Sequence, residues 1–195
     1  HGIFDSPTTA AHCVWLEDED FDILKRHGVT VACCPASNLK LASGYANVPK
    51  MLESGINVAL GTDGAASNNN LNIMQDMYLF GVVYKGYFRD PTIITPAEVL
   101  HAATRAGALS QGRDDSGLLA VGMRADLCVL NTDTPQFTPM TSAACNVVYA
   151  AQGADIRMTM VDGEILYRDG EFKTIDIEKV KAEVQRRTDS ILSRL

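Results

Sequence analysis

Short apolar runs alternate with amphipathic stretches along the first third of the chain. The runs are TTAAHCV (8–14), VTVACC (29–34) and INVALGTD (56–63). Runs of this length predict buried strands, the second of them closed by Pro35. Between the first two lies LEDEDFDILKRHG (16–28). Its acids come first, Leu16, Phe21 and Leu24 recur at helical spacing, and Lys25 and Arg26 precede Gly28. That order predicts a helix, because acids suit its amino end and cations its carboxyl end. ASNLKLASG (36–44) reads as a polar loop, and VPKMLESG (48–55) as a short helix stopped by glycine. Strands alternating with helices predict a parallel sheet, with chemistry at the carboxyl ends of its strands.

The pattern then lengthens. NLNIMQDMYLFGVVYKGYF (70–88) is an amphipathic helix interrupted by Gly81, and TPAEVLHAATRAGALSQG (95–112) a second, opened by Thr95, Pro96 and Glu98. Near residue 120 the texture changes. GMRADLCVLNTD and VVYAAQGADIRMTMVDGEILYRDGEF suggest short strands joined by hairpins at Asp162–Gly163 and Asp169–Gly170. The tail reads as a charged amphipathic helix. The expected divisions are residues 1–120, 121–173 and 174–195.

Composition narrows the partners. A net charge of −7 argues against a nucleic-acid backbone. No apolar stretch is long enough to span a bilayer, and no signal peptide is visible. Five cysteines, among them the adjacent Cys33 and Cys34 and without C-x-x-C spacing, read as reduced and mostly buried thiols of a cytoplasmic protein. The chain opens in mid-phrase at His1, which fits either a tag scar or a piece of a longer protein.

Two side chains carry the candidate chemistry. His12 stands at the end of the first run and Asp63 at the end of the third. A carboxylate at the mouth of a buried strand needs a partner: a backbone cap, a salt bridge or a metal ion. Asp63 either caps the following turn through the amides of Ala65 and Ala66, or acts as an oxygen ligand or proton acceptor. His12 is either a core histidine bonded to a carbonyl or part of the same site. His27 suits a helix terminus, and His101 reads as a packing residue on an alanine-rich helix face. With no H-x-H and no H-E-x-x-H, the chain shows at best half a metallohydrolase site.

AAHCVWLEDEDFDIL, CPASNLKLASG, LGTDGAASNN and GMRADLCVL…VDGEILYRDGEF together resemble the amidohydrolase superfamily. Within it the likeness is to the 5-methylthioadenosine/S-adenosylhomocysteine deaminases and related chlorohydrolases. The resemblance runs from about residue 8 to residue 172. It implies an α/β fold: the carboxyl-terminal part of a (β/α)8 TIM-like metallohydrolase barrel, then a small β-sandwich portion and a C-terminal helix. It implies one divalent ion, zinc or iron, in the full-length enzyme, weak or absent in this chain alone. Asp63 matches a metal-touching aspartate that accepts a proton from water, and His12 a catalytic histidine beside the metal. Ser67 matches a small polar residue facing the substrate, while Asn38 reads as a turn residue of the pocket loop. Cys33 stands where many relatives carry histidine.

The activity so implied is hydrolytic deamination of an aminated purine nucleoside. Hydrolysis of a chlorinated triazine-like ring is the alternative within the family, and a truncated, non-catalytic interaction module the alternative outside it. The partners expected are a small-molecule substrate and either a second copy or the missing amino-terminal part. No nucleic acid and no membrane are expected.

Overall fold

A computed structural model describes residues 2–195, and His1 lies outside the described residues. The chain divides into two units. One comprises the residues up to Met123 together with Thr132–Asp155; the other comprises Arg124–Asn131 and Ile156–Leu195.

The first unit is built on a three-stranded sheet of β1 (Thr9–Ala11), β2 (Thr30–Cys33) and β3 (Val58–Leu60), in that order. Both pairings are parallel, with Ala11 beside Ala32 and Cys33 beside Leu60. This is the arrangement expected from the alternation of runs. β3 is buried throughout, whereas β1 is an edge strand with Thr9 and Ala11 exposed. The first run is therefore less buried than its composition suggested, although β3, the other edge strand, is buried.

Helix α1 (Asp18–Arg26) joins β1 to β2. Asp20 reaches back to accept from the Glu17 amide at 2.8 Å, and Phe21 and Leu24 are buried. The helix ends where Gly28, at φ +62°, lets the Val29 amide bond back to the Leu24 carbonyl. Residues 36–44, expected as a loop, begin instead as helix α2 (Pro35–Lys40). Pro35 occupies its first turn, where a missing N–H costs nothing. Ser37 and Asn38 are poor helix formers by propensity, but both are buried with side-chain partners, and those contacts outweigh a few tenths of a kcal/mol. α3 (Val48–Glu53) then leads into β3.

After β3 come the short α4 (Ala65–Asn68) and the long α5 (Ile73–Phe88), whose amino end is capped by Asn72. The expected helix over 95–112 is two helices, α6 (Pro96–Ala103) and α7 (Arg105–Ser110). The chain breaks at Thr104, whose φ of −125° and ψ of −85° leave the helical region. His101 is exposed there rather than packed.

α8 (Ala143–Tyr149) replaces a strand expected around VVYAAQ. Ser142 caps it, accepting from the Cys145 amide at 3.3 Å, and Val148 is buried. α8 packs on α5 at Gly81, so this glycine does not interrupt α5 but admits its neighbour. A Cβ at position 81 would lie 3.0 Å from Tyr149 and 3.2 Å from Val148. Gly81→Val is expected to destabilise the unit by about 1–3 kcal/mol through overpacking, although valine is the better helix former. Urea unfolding followed by circular dichroism checks it.

The second unit is an antiparallel sheet of β4 (Leu127–Leu130), β5 (Ile156–Val161), β6 (Glu164–Arg168) and β7 (Glu171–Phe172), in that order. The Asp162–Gly163 and Asp169–Gly170 turns have positive φ at both residues, as two-residue hairpins require. α9 (Ile177–Leu192) follows, capped by Asp176, with no buried residue. Among the described residues, no helix is long and apolar enough to cross a membrane.

Candidate active site

The carboxyl ends of the three parallel strands gather the polar residues. His12 follows β1, α2 follows β2 one residue after Cys33, and Asp63 follows β3. His12 and Asp63 both sit at positive φ, +68° and +61°. At His12 the chain turns sharply, the Cys13 amide donating to the Ala11 carbonyl at 2.8 Å. Backbone held in this sparsely populated region is a feature of functional sites.

The turn brings His12 Nε2 to 3.8 Å from Asp63 Oδ2. On its other side, His12 Nδ1 lies 2.9 Å from Asn38 Oδ1. The Asp63 carboxylate is held from three directions. Oδ2 accepts from the hydroxyls of Ser37 at 2.6 Å and Ser67 at 2.7 Å, and Oδ1 accepts from the Gly64 amide at 2.7 Å. The cap expected from the Ala65 and Ala66 amides is thus replaced by Gly64 and two hydroxyls. Ser67, expected to face a substrate, spends its proton on Asp63.

His12, Ser37, Asn38 and Asp63 border a cleft of about 420 Å³, with Val14, Trp15 and Leu41 as its apolar wall. Asn38 and Ser37, from the segment expected to be a loop, belong to the cleft. Ser37 went unnoticed in the sequence because a serine after Pro-Ala carries no signal of a partner distant in the chain. Asp76, on α5, ties the surroundings together. It is buried and accepts from the Ala36 amide and from Asn68 Nδ2, both at 3.2 Å; Asn68 also donates to the Thr62 carbonyl at 2.7 Å. The amino end of α2 and the loop bearing Asp63 are thereby fixed to one helix.

The Amidohydrolase family profile matches residues 2–166, spanning every residue of this cleft. The chain belongs to the amidohydrolase family. It is 46% identical over 192 residues to a 5-methylthioadenosine/S-adenosylhomocysteine deaminase of Acetivibrio thermocellus, covering 98% of this chain and 44% of that protein. It is 42% identical over 194 residues to a 5'-deoxyadenosine deaminase of Methanosarcina mazei, covering 100% of this chain and 45% of that one. The chain thus spans less than half the length of the curated relatives it matches. Among solved structures, an adenosine deaminase from Xanthomonas campestris with bound zinc superposes with a TM-score of 0.91 at 30% identity, over 95% of this chain and 42% of that one. A zinc-complexed atrazine chlorohydrolase from Arthrobacter aurescens gives 0.84 at 26% identity, over 91% and 40%.

Among the described residues, no group of three or more His, Cys, Asp or Glu side chains is placed to hold an ion. A catalytic zinc takes about three protein ligands, and Asp63 with His12 offers at most two. The buried thiols of Cys33 and Cys34 add none that is ionised. Burial pushes Cys33 up to about 12, its sulfur lying 3.1 Å from the Tyr84 hydroxyl, and burial pushes Cys34 up to about 11. The five cysteines are all free; Cys33 and Cys34 are buried, but Cys128 and Cys145 are exposed, contrary to the expectation of mostly buried thiols.

Asp63 differs sharply from the thiols. The Ser37 hydroxyl first, then Ser67 and the Gly64 amide, hold its carboxyl down to about 2. An unfolded aspartate titrates at about 3.9. The native state therefore binds fewer protons between these values, and the stability due to these bonds is present above pH ~4 and lost as pH falls through about 2. Asp63→Asn is expected to flatten this part of the acid-unfolding curve. Circular dichroism across the same range checks it.

Proposed function

We propose that this chain forms the carboxyl-terminal part of a (β/α)8 metallohydrolase barrel, followed by a β-sandwich portion and a C-terminal helix. The whole enzyme then deaminates an aminated purine nucleoside such as methylthioadenosine or S-adenosylhomocysteine. The observation that carries this reading is an ionised Asp63 carboxylate facing His12 Nε2 across 3.8 Å at the carboxyl end of a parallel sheet. The choice of nucleoside rests on the deaminase names of relatives at 46% and 42% identity.

In the reaction, water adds to the ring carbon bearing the amino group and ammonia leaves. A divalent ion, zinc or iron, would supply polarisation of that water, with Asp63 as one of its ligands. Asp63 receives the water's proton, Ser37 and Ser67 keep it ionised for that task, and His12 supplies an electrostatic partner on the opposite side. Ser67 also borders the substrate. The remaining ligands would come from the part of the relatives that this chain does not span, so that the chain alone would bind the ion weakly and turn over nothing. A second copy or that amino-terminal half covers the open sheet edges. The free thiols suit a cytoplasmic enzyme.

The likeness to an atrazine chlorohydrolase, at a TM-score of 0.84, favours a second reading, hydrolysis of a chlorinated triazine ring. One assay separates the readings. Residues 1–195, with added zinc, are tested on methylthioadenosine, adenosine and a chlorotriazine, alone and with the amino-terminal part of a curated relative. Deamination only in the mixture is expected. Turnover of the triazine alone would install the second reading, and strong turnover by the lone chain would overturn the ligand count.

A further inference from the structure

An imidazole does different chemistry according to which nitrogen carries its proton. His12 meets the Asn38 amide through Nδ1 at 2.9 Å and turns Nε2 toward the cleft. The atom of Asn38 facing it is Oδ1, which can only accept. With the amide oriented so that Oδ1 faces the ring, Nδ1 is the protonated nitrogen and Nε2 is left as a lone pair.

Asn38 is well placed to impose that choice. It is 4% exposed, and its backbone is anchored in both directions. Its N–H donates to the Cys34 carbonyl at 3.0 Å, and its C=O accepts from the Ser43 amide at 2.9 Å. Its Nδ2 is buried with no hydrogen-bond partner among the described residues. What the amide does offer is its oxygen, aimed at His12.

We propose that Asn38 is a positioning residue that holds His12 in its Nδ1–H form, so that Nε2 faces Asp63 as a second acceptor. This rests on the reading of the cleft given above and deepens it. Two acceptors then oppose each other across 3.8 Å with no proton between them. Such a gap suits a cation, or a water whose two hydrogens point at the two groups. It does not suit a direct ion pair of His12 with Asp63.

Nitrogen-15 labelling of the histidines in the 195-residue chain tests this, at about pH 8, above the ordinary imidazole value of about 6.5. The His12 signals are those lost in His12→Gln. Nδ1 of the wild-type chain is expected in the protonated range and Nε2 in the unprotonated range. Asn38→Asp keeps an acceptor at this position and is expected to keep the pattern. Asn38→Leu removes it and is expected to move the proton toward Nε2, with the backbone amide spectrum of the sheet unchanged. A wild-type proton on Nε2, or an unchanged pattern in Asn38→Leu, would overturn the proposal. An Nδ1–H wild type in a protein that never gains deaminase activity on complementation would sink the functional reading and leave this one standing.

Discussion

Replacing Asp63 by asparagine is expected to lower deamination by the assembled enzyme by about 10³-fold or more, the upper part of the range for losing a positioned proton acceptor. No other carboxylate borders the cleft among the described residues, so nothing nearby can take over. Asparagine is a cleaner substitution than alanine. Residue 63 sits at φ +61°, which asparagine tolerates and alanine does not without a cost of about 1–2 kcal/mol. Both variants should therefore be inactive, and Asp63→Ala should unfold more readily than Asp63→Asn. Steady-state kinetics of the zinc-supplemented mixture, read beside urea unfolding of the chain alone, separates the two effects. Retention of a tenth of the wild-type rate by Asp63→Asn would remove Asp63 from the chemistry.

Much of the skeleton of this site is legible in the one-dimensional pattern, for an identifiable reason. The strands are short apolar runs, the second closed by Pro35 and the third by Gly61, and period and punctuation are local properties. Hence β1, β2 and β3 emerge in order, and so do both Asp-Gly hairpins of the second unit. His12 and Asp63 stand out because each is a polar group closing an apolar run. Ser37 and Asn38 do not stand out, because what places them at the cleft is a partner 26 residues away in each case. Their local propensity reads as loop, and only the contacts with Asp63 and His12 make a buried helix affordable. The same holds for α8. VVYAAQ is rich in β-formers, and it becomes helical through the Ser142 cap and the space left by Gly81. Thr132–Asp155, which carries α8, accordingly groups with the first unit rather than with the strands on either side of it in sequence.

The largest stability effect is expected at Phe80, on α5. Its side chain is fully buried and meets the ring of Tyr84 edge-on, with centroids 5.6 Å apart. Tyr84 in turn places its hydroxyl 3.1 Å from the Cys33 sulfur, at the end of β2. α5 packs against α2, β3, α6 and α8, so the ring sits in the helix that most of the unit is built around. Phe80→Ala removes a buried aromatic and leaves a cavity, for an expected loss of about 3–5 kcal/mol. That is a large part of the ~5–15 kcal/mol available to a typical domain. The loss should reach the site as well, because Asp76 lies one helical turn before Phe80 and holds both α2 and the Asp63 loop. Tyr84→Phe is the control: it keeps the ring and loses only the hydroxyl, and about 1 kcal/mol is expected. Hydrogen exchange at the α5 amides reads this unit separately from the antiparallel sheet. Phe80→Ala should lift exchange across α5 and at Ala36 and Gly64 together. Faster exchange confined to α5 would mean that Asp76 does not couple the helix to the site, and that the cleft is held by its own hydrogen bonds alone.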